Sequence, residues 1–327
     1  SDEIKAYARF TSNSANLNLA ARHIWLAYMP MTELNFRIGR FPIPFGHEGT
    51  VRPTEKVREI FISEYTQNVG GALNANYDIG AMAYGSLFDN ALEYKLYTGN
   101  GVVRTVADSA GMVAASATTA QPDNNDAKQG ILNLKFKPFT GVFVGGAYAL
   151  GDFTNTNMIN GVSVQRSRAT AYDLNAGYEM NNVFRVSGEY ATTRHDQMAL
   201  EGDAGLLGNA PRTQLTANRV NEYILKATYL GVADWEFGVR YSVIDPKNFE
   251  AELAAGLSRE SKISFALGYK FAGSAQLNAE YSRVNTDLNY LNNYDPALVA
   301  AAVNTYRINP CEDPFDDIYA LQLGLQF

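Results

Sequence analysis

Asp317-Ile318-Tyr319-Ala320-Leu321-Gln322-Leu323-Gly324-Leu325-Gln326-Phe327 closes the sequence, and its side chains alternate in character from one residue to the next. Tyr319, Leu321, Leu323, Leu325 and Phe327 share one face of an extended strand, while Ala320, Gln322, Gly324 and Gln326 share the other. One face suits hydrocarbon and the other suits water. A strand of this kind ending on phenylalanine is the way an outer-membrane barrel ends.

The same period recurs along the chain. Leu132, Leu134 and Phe136 oppose Asn133, Lys135 and Lys137, and Tyr172, Leu174, Ala176 and Tyr178 oppose Asp173, Asn175, Gly177 and Glu179. Trp235, Phe237, Val239, Tyr241 and Val243 oppose Glu236, Gly238, Arg240 and Ser242; Ile263, Phe265, Leu267, Tyr269 and Phe271 oppose Lys262, Ser264, Ala266, Gly268 and Lys270. The second face holds charge, glycine and amide. A soluble sandwich also shows two-residue alternation. Long strands, tyrosines repeated at the ends of the apolar face and the lack of a helical core pattern favour a membrane wall instead.

Composition agrees. The chain is 46% hydrophobic, yet no run approaches the roughly eighteen apolar residues of a spanning helix, so any span must be built from strands. Twenty Tyr and seventeen Phe against two Trp supply aromatics for interfacial girdles. The single Cys excludes a disulfide framework within the chain, and three scattered His offer no metal constellation, so no cofactor or metal is expected. A net charge of -7 argues against a nucleic-acid partner. Glu312, Asp313, Asp316 and Asp317 beside Cys311 lack the spacing of a calcium loop and read as a solvated outer loop.

Strands are expected at about 4–11, 16–29, 32–41, 79–88, 90–99, 131–138, 141–151, 170–180, 183–194, 218–230, 234–245, 260–272, 275–286 and 318–327. Their connections alternate between short and long. The short ones are Pro30-Met31, Asp89, Phe139-Thr140, Asn181-Asn182, Gly231-Val232-Ala233 and Gly273-Ser274, and the long ones are 42–78, 100–130, 152–169, 195–217, 246–259 and 287–317. Outer-membrane barrels keep short turns in the periplasm and long loops outside. The expected architecture is therefore a single all-β domain over residues 1–327, a transmembrane antiparallel up-and-down barrel with its C-terminus at the periplasmic rim. The strand at 16–29 changes parity between Leu17-Leu19-Ala21 and Ile24-Leu26-Tyr28, which a bulge near Arg22 reconciles. Short helices are expected within Asn248 to Ser258 and Pro296 to Val303.

The first long connection carries the most specific sequence. His23-Ile24-Trp25-Leu26-Ala27-Tyr28 leads into Leu34-Asn35-Phe36-Arg37-Ile38-Gly39-Arg40-Phe41-Pro42-Ile43-Pro44-Phe45-Gly46-His47-Glu48. Further on come Tyr94-Lys95-Leu96-Tyr97-Thr98-Gly99-Asn100-Gly101, Asp123-Asn124-Asn125-Asp126 and Lys135-Phe136-Lys137-Pro138-Phe139. This order resembles the phosphate-selective porin family (porins O and P), specifically to about residue 150 and only in architecture beyond. The resemblance implies a bacterial outer-membrane porin that assembles as a homotrimer. It also implies sixteen strands where about fourteen are readable here, so an N-terminal hairpin trimmed from the chain is the expectation.

In that family the chain after Pro-Phe-Gly enters the pore. The resemblance thus makes 46–68 an inward-folding constriction loop, with Arg52, Lys56 and Arg58 interleaved with Glu48, Glu55, Glu59 and Glu64. Arg37, Lys95, Lys135, Lys137, Arg185, Lys226 and Arg240 are expected to line the pore and extend a basic track. The expected function is passive diffusion of small hydrophilic solutes or ions, with or without preference for anions, in contact with outer-membrane lipid and lipopolysaccharide. Two other classes compete: a sleeve-type barrel around a partner protein and a barrel enzyme. Enzymatic activity is not expected, because His23, His47 and His195 are a poor supply of imidazole and no Gly-x-Ser-x-Gly elbow occurs. An inward-folded long loop argues against a sleeve.

Overall fold

The computed structural model describes residues 3–12, 19–46, 78–100, 128–153, 163–164, 167–180, 183–195, 198–201, 214–215, 218–246, 259–271, 275–286 and 315–325. In chain order the strands are β1 (Glu3–Ser12), β2 (Leu19–Met29), β3 (Asn35–Phe41), β4 (Asp78–Leu87), β5 (Leu92–Gly99), β6 (Gln129–Phe139) and β7 (Val142–Phe153). They continue as β8 (Ser163–Val164), β9 (Ser167–Met180), β10 (Phe184–His195), β11 (Met198–Glu201), β12 (Gln214–Leu215), β13 (Asn218–Val232), β14 (Trp235–Pro246), β15 (Glu260–Phe271), β16 (Ala275–Thr286) and β17 (Phe315–Leu325).

Fourteen of these form one sheet in which every strand pairs antiparallel with its neighbours along the chain. All fourteen expected strands are present, displaced at their ends by up to a few residues. The remaining three, β12, β11 and β8, make a small separate sheet within the long connections 152–169 and 195–217, which carry no two-residue apolar pattern long enough to announce it. The expected helices at 248–258 and 296–303 lie outside the described residues, as do Cys311, Glu312 and Asp313.

Register turns alternation into two faces. Lys95 pairs with Asn133, Asn133 with Ala147 and Ala147 with Asp173. Their neighbours Leu96, Leu132, Tyr148 and Leu174 stand on the opposite side and are exposed. The same inversion runs through β14–β16, where Phe237, Val239, Tyr241, Phe265 and Leu277 are exposed while Arg240, Ser242, Lys262, Ser264, Asn278 and Ser282 are buried. A soluble sheet buries its apolar face, so this sheet is built for a solvent of hydrocarbon. A slip of one residue exchanges the two faces completely, which specifies the register.

The parity change in β2 is resolved by geometry. Arg9 pairs with His23 but Phe10 pairs with Ala21, so Arg22 is the extra residue of a bulge in β2. Short connections bend tightly. Phe88, Asp89 and Asn90 all take positive φ (55, 54 and 68°), which Asp and Asn accept readily and Phe accepts at about 1 kcal/mol.

β1 and β17 stand at the two ends of the order, and among the described residues no ladder joins them. The outer face of β17 shows the consequence: Tyr319 and Leu321 are 77% and 73% exposed, whereas Phe265 and Leu267, two strands inward, are 47% and 37%. Because directions alternate, β1 and β17 run antiparallel. Closure therefore takes either direct pairing or an even number of added strands.

The face assignment makes a direct prediction. Leu134→Arg or Phe237→Arg puts a cation in mid-bilayer at a cost of about 2–4 kcal/mol and is expected to reduce insertion, whereas Lys135→Gln on the opposite face of β6 leaves it intact. Heat-modifiable mobility on gels reads insertion, and equal folded fractions for the three variants contradict the assigned faces.

Candidate functional site

The inner face divides into an apolar bed and a charged wall. The bed is a row across five strands: Met82 pairs with Tyr97, Tyr97 with Ile131, Ile131 with Ala149 and Ala149 with Ala171. All five are buried, in one cluster with Phe41 and Ile43. This corrects the expectation that the second face carries only charge, glycine and amide. Two-residue alternation shows which residues share a face, and the large side chains at 82, 97 and 131 stand on the inner one.

What covers the bed is the chain leaving β3. Phe41 and Ile43 are 0% and 4% exposed, Pro44 is buried, and Phe45 packs on the cluster from its edge together with Trp25 and Tyr84. The Phe45 amide donates to the Ile43 carbonyl at 2.9 Å, a tight reversal around Pro44. Burying Phe41 and Ile43 stabilises this inward course by about 1.5–3 kcal/mol per side chain. Phe41 meets Tyr97 edge to face at 5.7 Å, and the Tyr97 hydroxyl donates to Asp78 Oδ2 at 2.6 Å, which ties the start of β4 to the same place. Gly39, at φ 124°, packs against the backbone of Ile24 and Trp25, where a Cβ has no room.

Arg37 is held by aromatic faces, with its guanidinium carbon 4.2 Å from the Trp25 ring centre, 5.2 Å from Tyr84 and 5.7 Å from Phe41. Lys95, Lys135, Lys137, Arg185, Lys226 and Arg240 occupy register positions on the same inner face. Carboxylates answer several of these cations. Lys137 pairs with Glu93, and Arg185 meets Glu179 through Nε to Oε2 at 3.0 Å and NH2 to Oε1 at 3.1 Å. Lys135 Nζ lies 4.4 Å from the Phe143 ring centre.

Arg240 is the most enclosed. Its NH2 donates to Glu280 Oε1 at 3.3 Å and to Ser264 Oγ at 3.4 Å; Ser282 Oγ donates to Glu280 Oε1 at 2.7 Å, and the two serines share a hydrogen bond of 2.8 Å. Both charged side chains are within 2% of full burial. Lys270 pairs with Glu236, which also accepts from Gln276 Nε2 at 3.1 Å. Glu236, Glu280, Lys262, Asp173 and Glu222 are further buried polar members of the inner wall, beyond the residues expected to line the pore. Their signal was present in the same alternation, at the positions between outward aromatics.

The interior at the level of β14–β16 is thus a close-packed polar network of opposite charges, where a basic track along the pore was expected. The expected constriction residues Arg52, Glu55, Lys56, Arg58 and Glu59 lie outside the described residues. The described chain reaches Gly46 already turned inward and resumes at Asp78.

No family model matches the chain, and no curated protein does, so the resemblance to phosphate-selective porins gains no support there. Solved structures do match. The outer-membrane channel DcaP of Acinetobacter baumannii superposes with a TM-score of 0.59 at 10% identity, over 87% of this chain and 75% of that one. The anion-selective porin of Comamonas acidovorans gives 0.56 at 12%, over 87% and 74%, and OmpT of Vibrio cholerae gives 0.52 at 12%, over 85% and 73%. The fold is that of outer-membrane porins. At these identities the likeness concerns the fold alone.

The buried pair yields a stability prediction. Glu280→Leu removes the buried carboxylate that Arg240 NH2 meets and is expected to destabilise the barrel by about 3–5 kcal/mol, whereas the double variant Arg240→Met with Glu280→Leu regains most of that loss. Urea midpoints of protein refolded in detergent measure both, and additive losses contradict the pairing.

Proposed function

We propose that this chain is a porin of the bacterial outer membrane, a narrow channel of mixed charge through which small hydrophilic solutes diffuse passively. The observation that carries the reading is the inverted sheet: fourteen antiparallel strands present hydrocarbon outward and enclose a polar, ionised face. A lumen of this chemistry solvates ions and sugars and excludes lipid. The strict division between short turns and long connections supports an orientation with the long connections outside and the C-terminus at the periplasmic rim. Association as a homotrimer belongs to the same proposal, because neighbouring copies then cover part of the apolar wall and leave three separate pores.

Selectivity in this reading is weak. Glu93, Glu179 and Glu280 offset Lys137, Arg185 and Arg240, so an anion bias rests on the placement of Arg52, Lys56 and Arg58 within 46–68, where they stand among Glu48, Glu55, Glu59 and Glu64. Confinement magnifies each such charge: as the effective dielectric falls from about 80 to about 20, the Coulomb energy of two charges at 4 Å grows from about 1 to about 4 kcal/mol. The inward course of Pro42 to Phe45 speaks against a sleeve, since a threaded partner needs that space.

Planar bilayers test the proposal. The protein is expected to give discrete conductance steps that grow with salt concentration, with a small anion preference that Lys56→Glu with Arg58→Glu reverses. Ile43→Asp, which undoes the apolar bed, is expected to enlarge the steps or make them flicker. A reversal potential unmoved by the double variant removes 46–68 from selectivity, and the absence of steps contradicts the channel.

A further inference from the structure

The outer wall carries a cluster of like charge at the long-connection ends of β9, β10 and β13. Arg168 shares its face with Tyr172 and Leu174, Arg194 stands on the same side of β10, and Arg219 shares its face with Tyr223 and Leu225; all three arginines are exposed. Arg194 lies directly opposite Arg219 in the β10–β13 ladder, and its other neighbour, Thr170, is two residues from Arg168. Like charges directly opposed destabilise a sheet. The contrast is Arg283 of β16, also on the outer face, which stands opposite Asp317.

The cluster is held in place. Arg219 donates through Nε to Thr192 Oγ1 at 3.3 Å and through NH2 to the Tyr172 hydroxyl at 3.4 Å. Thr192 Oγ1 and the Tyr190 hydroxyl donate in turn to Asn221 Oδ1 at 2.9 and 3.2 Å. The Tyr190 ring lies 5.0 Å from Tyr223 and 6.2 Å from Tyr172, so three adjacent strands bring tyrosines together just below the arginines. Such tyrosines mark the level of lipid headgroups. Among the described residues, the acidic register positions beside these arginines are Asp152, opposite Arg168, and Asp245, opposite Asn221.

We propose that Arg168, Arg194 and Arg219 bind the phosphate groups of the glycolipid of the outer leaflet, the lipid A part of lipopolysaccharide, while its acyl chains lie on Tyr172, Leu174 and Leu225. Phosphate suits the site because guanidinium groups grip it through paired, charge-assisted hydrogen bonds, and because a bridging dianion converts the opposed Arg194 and Arg219 from repulsion to attraction. The proposal rests on the outer-membrane orientation given under Proposed function, with the long connections outside.

Native mass spectrometry of the full-length protein in mild detergent tests it, with diphosphorylated lipid A, with the same lipid stripped of both phosphates, and with inorganic phosphate as competitor. Arg168→Gln, Arg194→Gln and Arg219→Gln are each expected to weaken retention of the diphosphorylated lipid about fivefold, the scale for one basic side chain at an anionic bilayer surface. The stripped lipid is expected to bind all variants alike, Arg283→Gln to match the wild type, and equimolar inorganic phosphate to displace nothing. Equal retention by the wild type and the triple variant overturns the site, as does displacement by free phosphate, which identifies the ion instead of the lipid as ligand. Heat-modifiable mobility confirms that each variant is folded. Conductance of the same preparations separates the two readings: Arg-dependent lipid retention without conductance contradicts the porin, and conductance with Arg-independent retention contradicts this site.

Discussion

Backbone hydrogen bonding in a medium without water is the constraint from which the rest follows. Each unsatisfied N–H or C=O in hydrocarbon costs several kcal/mol, so a chain with no helical span must pair every strand on both sides. Thirteen antiparallel ladders join the fourteen long strands and do this for all but the two end strands. Pairing fixes the register, and register fixes the faces. Once Leu134 faces out, Asn133 and Lys135 face in, and every strand hydrogen-bonded to β6 inherits the choice. The open edges of β1 and β17 are the one place where the constraint is unmet among the described residues, and they mark where closure must occur.

Much of this was legible because alternation is a local property. β6, β9, β14 and β15 were readable strand by strand, and even the bulge at Arg22 announced itself through a parity change that no unbroken strand permits. The turn at Asp89 was readable for a different reason, since Asp and Asn tolerate left-handed backbone. Strand ends were less exact because hydrogen bonding continues into polar residues such as Gln129 and Asp152, whose composition suits a loop equally well.

The interior was harder to read. Composition distinguishes a water-facing position from a lipid-facing one, but it does not say what stands across the lumen. Met82, Tyr97 and Ile131 form a bed only because Ile43, far away in sequence, folds onto them. Lys137, Arg185 and Arg240 read as a basic track in sequence. Their partners Glu93, Glu179 and Glu280 lie one or two strands away, and only three-dimensional register brings each carboxylate to its cation. Among the described residues, a wall that looked basic is close to balanced.

The account stands or falls on the inverted sheet. Spin labels placed one at a time along Trp235 to Asp245 of β14, with Cys311 replaced by Ser and the protein reconstituted in bilayers, report collision with molecular oxygen dissolved in the lipid. The expected result is a two-residue oscillation with maxima at 235, 237, 239, 241 and 243 and minima at the residues between. Maxima at the even-numbered positions, or a flat profile, contradict the assignment of faces and with it the channel.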